Sequence, residues 1–291
     1  MKRLIPMIVL LGAPLALVAG EAVDQTLAAE PSDRVEVNII RGDINLSGWD
    51  QPQVKITGTL DDEAEALVFE REGDEIIIKV ELPQHTRKGK GSVLSVQVPR
   101  TVELDIKGIS TDFSLSGTSG PTEIKTISGD LKLQQVSAPV AASSISGDIS
   151  VTRSSGPLEA SSVSGDIQLR QNGEQYELAS VSGDIHLDAG RLQRLEAASV
   201  SGDIRVSSRL SENAKVGLES VSGDISLVLG DDINARFNLE TGPGGNIRNG
   251  ITEDKPAHEE FTGAEALNLR LGSGKSRVNM ETFSGDLRIS R

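Results

Sequence analysis

One motif, Ser-(Val/Ile)-Ser-Gly-Asp-(Ile/Leu)-x-(Leu/Val), recurs along the chain and limits its fold more than any other feature. The aspartates of this motif, with one variant in which Thr111 replaces the glycine, are Asp112, Asp130, Asp148, Asp166, Asp184, Asp203, Asp224 and Asp286. From the first to the seventh the spacings are 18, 18, 18, 18, 19 and 21 residues. Pro121, Pro139 and Pro157 keep the same period. Two markers with one period define a structural repeat.

Apolar residues occupy three positions in every repeat: three before the aspartate, one after it and three after it. The first set comprises Ile127, Ile145, Val163, Val181, Val200 and Val221. These positions are separated by even numbers of residues, as on the buried face of a strand, so all three sets are predicted to point inward.

A lone repeat of 18 residues cannot bury its apolar face, so successive repeats must stack as rungs about 4.8 Å apart. The sequence therefore predicts an all-β protein, a single-chain parallel β-solenoid (β-helix) with about 18–21 residues per rung. We expect a right-handed coil, with proline and glycine at its corners.

The flanks of the repeat follow the pattern less regularly and predict one elongated domain over residues 33–291. Residues 33–108 are expected to form divergent N-terminal rungs, 109–227 the regular rungs and 228–291 divergent C-terminal rungs. A good copy of the motif, residues 282–289, lies close to the C-terminus. It predicts an open sheet edge, carrying Arg288 and Arg291, through which copies of the chain could form a homo-oligomer.

The N-terminal residues 1–22 have the pattern of a secretory signal peptide. Lys2 and Arg3 precede an uncharged stretch that small residues follow. A membrane anchor is the alternative, but about 20 apolar residues are needed to span a bilayer, and proline and glycine interrupt this run. We therefore expect a periplasmic or secreted protein, with no membrane span after the signal peptide is cleaved.

Composition excludes several kinds of site. The chain has no cysteine, which rules out disulfides, thiolate metal sites and a cysteine nucleophile. Its net charge of −14 argues against a nucleic-acid partner, because phosphate neutralisation needs an excess of lysine and arginine.

The repeated aspartates are predicted to form a column on the outside of the solenoid, where neighbouring carboxylates repel by about 1 kcal/mol in water. One interpretation is that each aspartate caps its turn by accepting a bond from a backbone N–H, while Lys132, Arg205 and Arg288 dilute the charge. The alternative is a column that binds divalent cations. Calcium-binding β-rolls, however, repeat Gly-Gly-x-Gly-x-Asp every nine residues, which this chain does not. We assign no metal-binding residue.

Serines two positions before the aspartates form a second column: Ser128, Ser146, Ser164, Ser182, Ser201 and Ser222. Catalysis needs one serine with a base beside it, whereas a repeated hydroxyl is expected to bond from rung to rung. His186 lies in the repeat at a solvent-facing position. We therefore predict no catalytic residue and no cofactor. The tripeptide Arg41-Gly42-Asp43 resembles an integrin motif, but it coincides with the turn of a degenerate repeat.

Several segments together resemble a known family. They are the signal peptide, the stretch Gly42–Asp50, the Val-Gln-Val-Pro segment ending at Pro99, and the serial Ser-Val-Ser-Gly-Asp-Ile turns. This combination resembles the bacterial β-strand-repeat family known as toastrack domains, whose members carry the label adhesin. The resemblance spans about residues 34–289 and implies a single-stranded β-helix. It implies no catalytic residues.

The leading functional hypothesis is a non-catalytic envelope scaffold or adhesion module that binds a protein or an envelope polymer. A polysaccharide-active enzyme is the alternative, because parallel β-helices also host lyases and hydrolases. Such sites gather several carboxylates and commonly offer aromatic platforms, whereas Trp49 and Tyr176 lie in distant rungs. A concave pocket lined by carboxylates from different rungs would favour the enzyme.

Overall fold

The fold is described from a computed structural model, in which residues 20, 22–84, 89–171 and 173–291 are described. The predicted signal peptide therefore lies almost wholly outside the described residues and stays a prediction. The described residues form 25 β-strands, joined in one hydrogen-bonded sheet, and no helix. No helix able to cross a bilayer occurs within these described ranges.

The first part of the chain contains six strands: β1 (Ala22–Ala28), β2 (Arg34–Trp49), β3 (Gln53–Thr59), β4 (Ala66–Glu72), β5 (Glu75–Glu81) and β6 (Ser92–Pro99). The regular part begins with β7 (Glu103–Ser116), β8 (Thr122–Thr126), β9 (Leu131–Gln134), β10 (Val140–Ser144), β11 (Ile149–Thr152), β12 (Leu158–Ser162) and β13 (Ile167–Gln171). It continues with β14 (Gln175–Ser180), β15 (Ile185–Ala189), β16 (Leu192–Ser199), β17 (Ile204–Ser208), β18 (Leu210–Ser220) and β19 (Ile225–Leu229). The last strands are β20 (Ala235–Thr241), β21 (Ile247–Asn249), β22 (Ala257–His258), β23 (Glu265–Arg270), β24 (Ser276–Thr282) and β25 (Leu287–Ser290).

Each regular repeat contributes one strand to each of two parallel ladders. In the first ladder Val140 pairs with Thr122 of the rung before and with Leu158 of the rung after. In the second, Ile149 pairs with Leu131 and Ile167 in the same way. The predicted parallel β-solenoid is confirmed, and its core is a stack of aliphatic side chains such as Ile149 and Ile167, both fully buried.

The prediction that the residues three before each aspartate point inward is wrong. Ile127, Ile145, Val163, Val181, Val200 and Val221 are 43–48% exposed. On the two sides of the bend that contains Val163, the nearest inward side chains are those of Ser162 and Ile167, which are five positions apart. The bend between the two strands therefore interrupts the two-residue alternation. Counting every second residue from one strand through the bend assigns the residues three before each aspartate to the core, although they face the solvent.

At the N-terminal end the chain doubles back, so β2 is not the outermost rung. It lies between β7 on one side and β5 and β6 on the other, all in parallel pairing. Antiparallel β4 and β3 then cover β5 and β6, and β1 pairs with β3. Because β1 takes part in the sheet, the fold begins earlier than the predicted boundary at residue 33.

The C-terminal end has the same design, and the predicted open edge is wrong. Leu287 in β25 pairs with Ile225 of β19 on one side and with Ile247 of β21 on the other. Strand β24 likewise lies between β18 and β20. The rung that carries Arg288 is thus interior to the stack. Antiparallel β23 covers β20, and β22 pairs with β23.

Candidate functional site

The repeated corner between the two ladders is built from five residues, which the rung at Ser162–Asp166 illustrates. The buried Ser162 hydroxyl accepts the backbone N–H of Gly165 at 2.9 Å. Val163 and Ser164 point outward. Gly165 is required by close stacking, since a Cβ there would lie 2.1 Å from the carbonyl oxygen of Gly147 in the preceding rung.

The hydroxyl groups that form hydrogen bonds within these corners are not those of the predicted serine column. It stands four residues before the aspartates, and each member accepts the N–H of the corner glycine at 2.8–3.2 Å: Thr126, Ser144, Ser162, Ser180, Ser199, Ser220 and Thr282. The predicted column that contains Ser164 is exposed instead. The overlooked signal is the restriction of this position to serine or threonine, three residues before a glycine.

The structure stacks the eight predicted aspartates in one column along the corner. Every Oδ1 except that of Asp286, the last in the column, accepts the backbone N–H of the next aspartate in the stack at 2.8–3.1 Å; the column runs through Asp112, Asp130, Asp148, Asp166, Asp184, Asp203, Asp224 and Asp286. The carboxylate therefore does bind a backbone N–H, but the N–H belongs to the next rung rather than to its own turn. Asp43 stands beside Asp112 at the N-terminal end of this column.

Hydrogen bonds from basic and amide groups stabilise the carboxylates of the aspartate column at two places. Arg205 donates to Asp184 at 3.2 Å and to Asp203 at 2.6 Å. At the C-terminal end, the side chain and backbone of Asn246 both bond to Asp286. These bonds, together with Arg248 and Arg288, lower the pKa of Asp286.

The column has oxygen atoms but no preformed cation cage. Within the described ranges, no group of three or more histidines and carboxylates is arranged to hold a metal ion. Oδ1 of each bonded aspartate already accepts a backbone N–H, which leaves Oδ2 as the oxygen more available to a cation. Cation binding by the column stays an alternative prediction.

An exposed line of apolar side chains, called here the apolar stripe, runs along the same corner. Its members are Ile40, Ile109, Ile127, Ile145, Val163, Val181, Val200, Val221 and Phe283, with 39–63% of each residue exposed. They belong to successive rungs. Backbone bonds such as Ser128 N–H to Ile109 O and Ser284 N–H to Val221 O join one rung to the next.

A groove of about 440 Å³ follows the opposite end of the first ladder. Pro121, Pro139 and Pro157 line it, and so do carboxylates from several rungs: Glu103, Asp105, Glu123, Glu159 and Glu177. A concave site with carboxylates from different rungs, the feature that favours the enzyme alternative, is therefore present.

Two features of the groove differ from those of a sugar-cleaving site. Burial raises the pKa of Asp105, but hydrogen bonds from Lys107 and Arg34 outweigh it, and the net pKa is lowered. The aromatic ring of Tyr176 is buried, and its hydroxyl donates to Gly173 O at 2.6 Å. Tyr176 therefore gives the groove no open platform, and Asp105 is held as an anion.

The tripeptide Arg41-Gly42-Asp43 lies inside β2 rather than on a projecting loop. The Arg41 guanidinium binds Asp61 at 2.5 Å and Glu63 at 3.0 Å. Gly42 has a φ of 133°, and a Cβ there would meet the backbone of Ser92. The motif therefore serves the local packing of the N-terminal rungs.

Comparison with known proteins agrees with this architecture. The fold is similar to the crystal structure of a "putative adhesin" from Parabacteroides merdae, with 11% identity, a TM-score of 0.54, and coverage of 94% of this chain and 98% of that chain. It is also similar to a "putative lipid binding protein" from Parabacteroides distasonis, with 12% identity, a TM-score of 0.52, and coverage of 94% and 99%. No curated protein matches the chain. The family model described as Toastrack DUF4097 matches residues 32–290, and the protein belongs to this family.

Proposed function

We propose that the protein is a non-catalytic, periplasmic or secreted scaffold or adhesion module that binds a protein or an envelope polymer along the corner of its solenoid. The observation that supports this proposal is the uniform corner. Successive rungs present the same apolar, hydroxyl and carboxylate positions, so a ligand meets a long periodic surface rather than one special residue.

The similar structures support the same class of function, since one is described as a putative adhesin and another as a putative lipid binding protein. The predicted signal peptide supports an envelope location. The net charge of −14 disfavours a nucleic acid as the partner.

Co-sedimentation with envelope fractions tests this proposal. The triple variant Asp148→Asn, Asp166→Asn and Asp184→Asn removes three charges from the column while each side chain keeps an acceptor for the next rung's N–H. We expect the wild type to sediment with purified cell-wall polymer or envelope protein, and this variant to bind at least about tenfold more weakly.

The matched control for this experiment is Glu159→Gln, which removes a carboxylate on a different face of the solenoid. It should bind like the wild type. A wild-type protein that stays in the supernatant with every envelope fraction would contradict the proposal.

A polysaccharide-active enzyme is the second candidate, and the groove is the observation that favours it. Glu159 and Glu177 are directly paired across neighbouring strands, which sets their Cα atoms about 4.8 Å apart. Glycosidases use a pair of carboxylates, and two glutamates on adjacent rungs of one groove supply such a pair.

The enzyme candidate is tested by incubating the protein with a panel of acidic and neutral polysaccharides and measuring new chain ends. Activity that is lost in both Glu159→Gln and Glu177→Gln, while both variants keep the wild-type melting temperature, would replace the scaffold proposal. We expect no difference between the wild type and either variant.

A further inference from the structure

The apolar stripe is continuous over nine rungs, which is unusual for a surface facing water. At about 4.8 Å per rung its length is about 38 Å. Eight of its nine members are isoleucine or valine, and every member except Ile40 is followed by an exposed serine on the side of the aspartate column.

The area of the stripe matches that of a protein interface. If each side chain exposes about 80 Å², the stripe offers roughly 700 Å², close to the ~800 Å² that each partner buries in a standard interface. The largest apolar patch of a typical monomer is about 300–600 Å². A stripe of this size is therefore large enough for stable association.

The partner must cover the stripe along its whole length. Side chains such as Val163 and Val181 are about 4.8 Å apart along the axis, so they form one continuous apolar line rather than separate pockets. A second copy of this chain carries a line of the same length and composition. Resting on the proposed function, in which this corner is the binding surface, we propose that the protein partner is a second copy, and that two copies pack stripe against stripe about a two-fold axis parallel to the solenoid axis.

The charges beside the stripe determine this orientation. On one side lies the aspartate column, and on the other lies the outward column of the preceding strands, five residues before each aspartate. Over the first seven rungs that outward column holds no acid: Asn38, Lys107, Lys125, Ser143, Ser161, Ala179 and Ala198.

A two-fold axis parallel to the stripe exchanges its two sides, so the aspartate column of each copy faces the outward column of the other, which has no acid in seven rungs and carries Glu219 and Glu281 in the last two. A two-fold axis perpendicular to the stripe would instead bring the two aspartate columns face to face. Like-charge repulsion disfavours that arrangement. The aspartate column also disfavours an anionic lipid surface, because the lipid headgroups would set negative charge against it.

Light scattering over a concentration series tests the interface. We expect the mass of the wild-type protein to double as its concentration rises. The double variant Val163→Asn and Val181→Asn should dimerise at least about tenfold more weakly, because it replaces two central apolar contacts without a change of charge.

The matched control is the double variant Val228→Asn and Phe261→Asn, which changes two exposed apolar residues outside the stripe and the columns beside it. It should dimerise like the wild type, and both variants should melt like the wild type at a concentration where all three are monomeric. A wild type that stays monomeric at its highest soluble concentration, or a stripe variant that dimerises as well as the control, would overturn the proposal.

The absence of cysteine from the sequence allows a test of orientation. With the axis parallel to the stripe every position faces its own counterpart, so Ile127→Cys and Val221→Cys should each form a disulfide-linked dimer under mild oxidation. Val228→Cys should not. If only the central Val163→Cys is linked, the copies are antiparallel and the proposed axis is wrong.

Vesicles of phosphatidylcholine, with and without phosphatidylglycerol, test whether a lipid surface binds the apolar stripe instead of a second copy. The wild-type protein should remain in the supernatant with both. Sedimentation of a monomeric wild type that is lost in the stripe variant would assign the stripe to a lipid surface and overturn the dimer.

Discussion

Each corner aspartate joins two rungs, because its carboxylate accepts the backbone N–H of the next aspartate. A hydrogen bond to a charged group contributes about 1.5–3 kcal/mol, whereas neighbouring carboxylates in water repel by about 1 kcal/mol. The bonds can therefore offset the repulsion, and Arg205 reduces it further where it binds Asp184 and Asp203.

The in-and-out pattern within a strand is tested by two adjacent positions in β13. Ile167 is fully buried and Gln168 is exposed. We expect Ile167→Asp to cost more than about 4 kcal/mol of unfolding free energy, since it buries an unpaired charge. Gln168→Asp should change it by about 0.5 kcal/mol or less. Urea unfolding at pH 7 measures both, and equal losses would contradict the assignment of faces.

The buried ion pair of Asp61 with Arg41 predicts a pH dependence of stability. Hydrogen bonding to Arg41 lowers the pKa of Asp61 from 3.8 to about 2. Because the folded-state pKa is depressed, this stabilisation is present above pH 3.8 and is lost as the pH falls through about 2. Asp61→Asn should therefore cost about 2 kcal/mol at pH 7 and progressively less towards pH 2.

Urea unfolding of Asp61→Asn at several pH values checks this expectation. The control is Asp62→Asn, which changes the exposed neighbouring carboxylate. A stability loss in Asp61→Asn that is the same at pH 7 and pH 2 would show that the charge of Asp61 is not the cause.

At the scale of one element, the corner combines a side-chain bond with a close backbone contact. The Ser162 hydroxyl holds the Gly165 N–H, and the absence of a Cβ at Gly165 lets the turns stack at the distance of a parallel ladder. Other residues can replace the outward-facing Val163 and Ser164 without changing the backbone conformation of the corner.

A pair of glycine substitutions tests the close contact in the corner. Gly165→Ala places a Cβ 2.1 Å from a backbone oxygen and should cost about 2–3 kcal/mol through overpacking. Gly217→Ala in β18 meets nothing within 4 Å and should be neutral or stabilise by about 0.4–1 kcal/mol. Thermal unfolding compares the two, and a Gly165→Ala protein as stable as the wild type would contradict the account of the corner.

At the scale of the whole molecule, the chain protects both ends of a sheet that does not close. Parallel rungs leave a row of unpaired N–H and C=O groups at each end, which invites pairing with other chains. Here antiparallel β3 and β4 cover the outer strands at one end. At the other end β23 covers β20, and β21, which pairs only with β25 among the described strands, is three residues long, which limits pairing at its free edge. This design leaves the long side of the solenoid as the surface for association.

Calcium is expected to contribute little to the stability of the whole solenoid, because each bonded aspartate already has a backbone partner. A ligand at 100 times its dissociation constant adds about 2.7 kcal/mol, which thermal unfolding detects easily. We expect no change in melting temperature on adding millimolar calcium. A rise of several degrees that a chelator reverses would support the cation-binding alternative.

The sequence by itself determined the repeat, the solenoid class and the composition of the aspartate column. The repeated aspartates and prolines share one period, and stacked parallel rungs are the arrangement of such a repeat that buries Ile149, Ile167 and their equivalents. These properties depend on residues that are close together in the chain.

Only the tertiary structure decided which side of the corner faces water and which rungs lie at the ends. The bend between Ser162 and Ile167 changes the direction of the side chains, so alternation within one strand says nothing about the next. The placement of β24 and β25 between earlier strands depends on pairing across the end of the stack, which no spacing along the chain encodes. The apolar stripe follows from the first of these effects, because the residues that alternation assigns to the core are turned outward where the backbone bends.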